Sequence, residues 1–176
     1  MNDDIRKHVL DLFTQYRAAK LKSSVRDEIR NQLLTIERSQ LKAALVGIIN
    51  DGSGTEKSIA LRNLSLLGEE DETNILIEYL KDVDVDVRYI SASLLGDCKS
   101  PASIPALLET ALHDDSIDVR HTAISSLGNV GSPDVIEVLA QIRENDGELV
   151  TQLGHTFANA IERSITSIKE RYNLRY

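Results

Sequence analysis

The sequence predicts an all-α protein, an α-solenoid of stacked antiparallel helix pairs with capping helices at its two ends. Three observations carry this expectation. Two segments repeat at an offset of 32 residues. Every apolar run has the period of a helix rather than the alternation of a strand. Only three prolines interrupt 176 residues of which 27% are charged, with recurrent short aliphatic runs, a composition that disfavours both disorder and an all-β domain. At this length one domain spanning residues 1–176 is expected, with roughly 70% of the unfolded surface buried, so no disulfide or structural metal is needed for stability.

The repeat sets the frame for the elements. Asp82-Val83-Asp84-Val85-Asp86-Val87-Arg88 aligns with Asp114-Asp115-Ser116-Ile117-Asp118-Val119-Arg120. Leu95-Gly96 then falls on Leu127-Gly128, Pro101 on Pro133, Ile104 on Ile136 and Leu107 on Leu139. A step of 31 towards the N-terminus reaches Asp51 and Lys57, and a step of 32 towards the C-terminus reaches Asp146 with Gln152 at the basic position, so the outer copies are degenerate. Each copy reads as two helices. Val87, Ser91, Leu94 and Leu95 share one face of the first; Ile104, Leu107, Leu108, Ala111 and Leu112 form the stripe of the second. Gly96 suits the position just after a helix, and Pro101 and Pro133 suit the first turn of the next. Asp84 and Ser116 are candidate N-caps, which places Asp86 and Asp118 in first turns, where the helix dipole favours a carboxylate.

Around these copies, residues 2–19 form an amphipathic helix (Ile5, Val9, Leu12, Phe13, Tyr16), followed by a linker containing Lys20, Lys22, Ser23 and Ser24. Residues 25–37 and 40–49 make a poorly matching pair closed by Asp51-Gly52-Ser53-Gly54, so that residues 1–50 hold the N-terminal helices and a degenerate repeat and residues 51–145 the repeats. Residues 146–176 are expected to form a capping region dominated by one long helix from Leu149 onward. Its inner positions are Leu153, Phe157, Ile161, Ile165 and Ile168, and it turns Arg163, Lys169, Arg171 and Arg175 to water.

The run from Leu80 to Ile142 resembles HEAT repeats, specifically the short-loop variety also called HEAT-like or phycobilisome-lyase-like repeats, most clearly over residues 76–142. The resemblance implies an armadillo-like helical scaffold in which Asp and Arg of successive turns pair in a ladder. Asp82, Arg88, Asp114 and Arg120 match that ladder; Lys57 and Gln152 depart from it, as expected of atypical terminal repeats.

The net charge of −8 hides a segregation: +3 over residues 1–50, −13 over 51–148 and +2 over 149–176. Inter-repeat turns should stack Asp84, Asp86, Asp115, Asp118, Asp146 and Glu148 along one edge, with Glu69-Glu70-Asp71-Glu72 in a turn on the other. An acidic field attracts basic partners and repels phosphate polyanions, so double-stranded nucleic acid is not an expected ligand of the central repeats. The basic run Lys20, Lys22, Arg26, Arg30, Arg38 and Lys42 is interleaved with acids and lacks aromatic platforms for single strands.

Catalytic constellations do not emerge. Asp51-Gly52-Ser53-Gly54 lacks the Lys-Ser/Thr of a phosphate loop. His8, His113, His121 and His155 have no metal-ligand spacing, although His121 and His155 lie one repeat apart and can approach each other. Cys98, the single cysteine, excludes a disulfide framework and sits in the expected turn after Gly96 without a paired base. No cofactor or metal is expected, and no stretch approaches a membrane span, so a soluble cytoplasmic location is expected.

The expected activity is therefore non-enzymatic binding of a protein partner, a basic one, through the inner helices and the acidic edge. Asn74, Ile77, Glu78, Ala106, Glu109, Thr110, Glu137, Val138 and Gln141 are the outward positions of the second helices, and Asp84 and Asp115 mark the edge. The resemblance supplies two alternatives. One is a bilin lyase or chromophore-handling factor, whose anionic ligand calls for basic groups. The other is a bacterial immunity or inhibitor protein that covers a basic toxin.

Overall fold

A computed structural model describes residues 2–18, 23–65, 67 and 71–174. Lys20, Lys22, Glu69, Glu70 and Arg175 lie outside the described residues. Among the described residues ten α-helices follow one another: α1 Asn2–Ala18, α2 Ser23–Leu33, α3 Arg38–Asp51, α4 Gly54–Leu64, α5 Asp71–Tyr79, α6 Val85–Cys98, α7 Ile104–His113, α8 Ile117–Val130, α9 Val135–Asp146 and α10 Phe157–Arg171. Their packing divides into two compact units, residues 1–69 and 70–176.

In the first unit α3 packs between α1 and α4. It buries Leu41, Leu45 and Ile48 against Val9, Leu12 and Phe13 of α1 and Ala60, Leu61 and Leu64 of α4. Each side chain taken fully from water contributes about 1.5–3 kcal/mol, which neither an isolated helix nor an isolated pair could gain. Local chemistry fixes the starts. The Glu37 carboxylate accepts from the N–H groups of Ser39 and Gln40 at 3.1 and 3.0 Å, and Ser53 and Glu56 form a capping box at α4. Arg6 pairs with Asp51 at 2.9 Å in an exposed geometry, and Arg26 lies 4.9 Å over the Tyr16 ring.

The second unit is a short α-solenoid in two layers, with α6, α8 and α10 packed side by side in one and α5, α7 and α9 against their backs. Asp84 caps α6 by accepting the Asp86 N–H at 2.8 Å, and the Ser116 hydroxyl faces the Val119 N–H at 3.5 Å at the start of α8. Gly96 and Gly128 do not end their helices; both are helical and buried. A Cβ at Gly96 would meet Ser126 Oγ at 2.7 Å, and one at Gly128 would meet Ser164 Oγ at 2.8 Å. Missing side chains are what let α8 approach both neighbours. The serines then reach across, Ser126 Oγ donating to Ala92 O at 2.8 Å and Ser164 Oγ to Ile124 O at 2.9 Å. The turn after α6 is made instead by Lys99, a residue in the left-handed region at φ 52°.

A ladder of ion pairs locks the turns. Arg88 donates through Nε to Asp114 Oδ2 at 2.7 Å and through the other arm of its fork to Oδ1 at 3.0 Å, while a further N–H reaches the Asp82 carbonyl at 3.0 Å. That bidentate pair pushes the Arg88 pKa further up. Arg120 pairs with Asp146, donates to Ala111 O at 3.0 Å and lies 5.2 Å over the Phe157 ring. Arg88 therefore ties its own turn, and Arg120 the last turn of α7, to the aspartate of the next copy.

The C-terminal region departs from the sequence expectation. Residues 149–156 are a tight hairpin, not helix, with an isolated bridge between Val150 and Thr156, and α10 begins only at Phe157. Gly154 adopts φ +81°, and Thr151 and His155 close the turn with a backbone hydrogen bond of 2.9 Å. Leu153, expected to be inward, stands 82% exposed at the tip. Arg171 is exposed, as expected, and also donates to the carbonyls of Gly131 (2.9 Å) and Gly128, capping the C-terminus of α8. Glu72 lies in the first turn of α5 and is buried rather than set in an exposed turn. Leu112 at the end of the α7 stripe is 39% exposed.

Replacing Gly96 or Gly128 with Ala should lower stability by about 1–3 kcal/mol despite the better helix propensity, because the helices must part. Gly47→Ala in α3, where nothing lies within 4 Å of a new Cβ, should raise it by about 0.5–1 kcal/mol. Urea midpoints of the three variants decide this, and stabilisation by all three would remove the close-approach argument. Arg88→Ala should cost about 2–4 kcal/mol, since it strands Asp114, whose side chain is only 6% exposed. Arg6→Ala should cost under about 1 kcal/mol in the same assay.

Candidate functional site

The layer of α6, α8 and α10 carries an open groove of about 920 Å³. Its walls are the outward stripes of successive copies, and the repeat period lays them in rows. Asp86, Tyr89, Ser93 and Asp97 on α6 stand where Asp118, His121, Ser125 and Asn129 stand on α8, each 32 residues on. The spacing i, i+3, i+7, i+11 keeps each row on one helix face. Arg163 and Ser167 of α10 form the third wall, and the hairpin residues Thr151 to His155 close one end. The floor is the glycine–serine seam, with Ser126, Gly128 and Ser164 among its lining residues.

The groove keeps a net negative balance. Asp86, Asp97 and Asp118 line it against Arg163, and among the described residues none of the three makes an ion pair. Asp118 accepts the Gln152 N–H at 3.2 Å and so holds the hairpin to α8. Tyr89 is 42% exposed and Leu153 82% exposed in a protein that buries most of its large apolar side chains.

His121 and His155 do come together: their rings stack at 5.9 Å, with Phe157 6.1 Å from His121. His155, however, is contributed by the hairpin and not by a helix. His121 Nε2 is buried without a hydrogen-bond partner. Burial first, and then His155 and Arg163, push the His121 pKa down from 6.5, against an upward pull from Asp118. Among the described residues no three metal-ligating side chains cluster. The Cys98 thiol is half-buried at the end of α6, and burial, Glu72 and Asp97 push its pKa up, which keeps it protonated and weakly nucleophilic.

Of the residues expected to bind, Asn74, Glu78, Glu109, Glu137, Gln141 and Asp115 are exposed, and Ile77, Ala106, Val138 and Asp84 are half-buried. None of them lines the groove. Thr110 is buried, 8% exposed, with its hydroxyl donating to Ala106 O at 2.9 Å, so it is not an outward contact position. The concavity lies on the first helices of the copies because the glycine–serine contacts draw those helices together, whereas α5, α7 and α9 touch one another far less. A sequence signal existed in the 32-residue recurrence of Asp86/Asp118 and Ser93/Ser125, polar positions at helical spacing opposite the buried stripe.

Acid should weaken the His121 contact. The unfolded chain takes up this proton near pH 6.5 and folded His121 only lower, so between those values the unfolded state binds more protons and stability falls as pH drops. The His121 ring should titrate below 6.5 by NMR, and the urea midpoint should be lower at pH 5 than at pH 7.5, with part of that difference lost in His121→Gln. A ring titrating above 6.5 contradicts this environment.

The family model for HEAT repeats matches residues 73–154. No curated protein matches the chain. HEAT repeats are typically scaffolds for protein interaction, and among the described residues no helix is long and apolar enough to cross a membrane. The stacked helix pairs of residues 73–154, with their Arg–Asp ladder and glycine crossings, are similar to HEAT repeats.

Proposed function

We propose that this chain is a non-enzymatic interaction module whose partner is a protein with a basic surface. The observation that carries the reading is the division of labour among carboxylates. Asp114 and Asp146 are neutralised by Arg88 and Arg120. Asp86, Asp97 and Asp118 in the groove and Asp84 at its turn make no ion pair among the described residues, and Asp115 feels Arg88 only at longer range. Like charges held on one rigid unit cost free energy through mutual repulsion, and a cationic partner relieves it while the field speeds encounter.

Catalysis gains no support from the same side chains. The Cys98 thiol is held protonated, and His121 Nε2 has no hydrogen-bond partner that would orient the ring as a base. A bilin lyase would bring anionic propionates against Asp86, Asp97 and Asp118, which favours the protein-binding reading. An inhibitor that covers a basic toxin falls within it, since a toxin of that charge presents the same chemistry.

A partner captured from the source cells provides the test. Its association rate should fall at least about tenfold as ionic strength rises from ~0.05 to ~0.3 M, where the Debye length contracts below ~10 Å, while dissociation changes less. An association rate indifferent to salt overturns the basic-partner reading.

A further inference from the structure

We infer that the groove on α6, α8 and α10 seats an extended, arginine- or lysine-bearing segment of the partner, with its basic side chains over the α6–α8 half. The inference rests on the basic-partner reading and adds the place and the form. Asp86 and Asp118 occupy equivalent positions on neighbouring helices, whose axes pack about 8–10 Å apart. Alternate side chains of an extended chain project the same way about 6.6 Å apart, so two basic residues two positions apart meet both carboxylates with little adjustment. Asp97 lies eleven residues beyond Asp86, about 16 Å along α6, which sets the far limit of the acidic wall.

Charge alone would leave the occupant undefined; the aromatic and apolar groups narrow it. Tyr89 stands one turn from Asp86 in the same wall, 42% exposed, and offers its ring face to a guanidinium held by the carboxylates. Leu153, 82% exposed on the hairpin that closes the groove, offers apolar surface to an uncharged side chain of the same segment. Arg163 on α10 repels cations, so the basic residues stop short of the third wall. Three helices side by side span about 20 Å, which about six extended residues cross.

The probe is a fluorescein-labelled hexapeptide of alternating arginine and serine, with a glutamate–serine peptide of equal length as control. Both are titrated against the full chain at ~0.05 M ionic strength by anisotropy, with binding mapped by amide NMR shifts. The arginine peptide should bind and shift residues of α6, α8 and the hairpin. Asp86→Lys with Asp118→Lys should weaken it at least about tenfold, and Tyr89→Ala about two- to fivefold, while Glu109→Lys with Glu137→Lys on α7 and α9 should leave it within about twofold. If the two charge-reversed pairs lose affinity equally, or the shifts fall on α7 and α9, the groove assignment is wrong and the basic-partner reading stands. If the arginine peptide binds no better than the glutamate peptide, both fall. Circular dichroism of each variant separates lost binding from lost fold, and Tyr89→Ala tests the groove without altering charge.

Discussion

The close approach of α8 to both α6 and α10 is the constraint on which the second unit depends. At Gly96 and Gly128 any side chain would collide with a serine of the next helix, at 2.7 and 2.8 Å. Contact at that range brings the serine hydroxyls within reach of the carbonyls of Ala92 and Ile124, one turn before each glycine. The hydroxyls are buried but satisfied, so the seam carries little of the desolvation cost that buried polar groups otherwise bring. Because the glycines recur at the repeat period, the same crossing is made twice, and the three helices form one surface instead of three separate ridges.

The Arg–Asp ladder acts on the other side of the same problem. Helix stacking by apolar contact alone tolerates sliding, whereas a bidentate pair has one geometry. Arg88 spans from the carbonyl of its own turn to the carboxylate of the next, which fixes both the turn and the rise between copies. Arg120 repeats the arrangement with a more exposed partner: Asp146 keeps 35% side-chain exposure against 6% for Asp114. The grip therefore slackens towards the end of the array, where the hairpin and α10 take over and Arg171 ties α10 back to the carbonyls of α8.

The internal copies were legible because repetition multiplies a weak signal. One Asp-Val-Arg turn means little, but the same turn 32 residues later with Gly, Pro, Ile and Leu in register leaves a helix-pair repeat as the natural reading. Glycine was the weak point. It suits a helix end through its backbone freedom and a helix crossing through its lack of a side chain, and sequence does not separate the two. Reading Gly96 as a terminator shortened α6 by three residues and hid the seam, and with the seam went the position of the groove. Gly154 failed in the opposite sense. Leu149, Leu153 and Phe157 keep helical spacing across a hairpin whose turn that glycine makes at φ +81°, so periodicity outvoted a genuine turn residue.

That hairpin changes what the end of the array does. A continuous helix from Leu149 would have covered the last repeat and presented only a polar outer face. Breaking the chain at Gly154 instead places Leu153 in water and carries His155 back onto His121 and Gln152 onto Asp118. One hydrogen bond and one ring stack are modest ties, each within the range of a kcal/mol or so, and both engage residues that line the groove. The terminal segment thus serves as cap and as end wall together. Its position depends on the same α8 face that a bound segment would occupy, so whatever settles on Asp118 competes with or reinforces the hold on the hairpin.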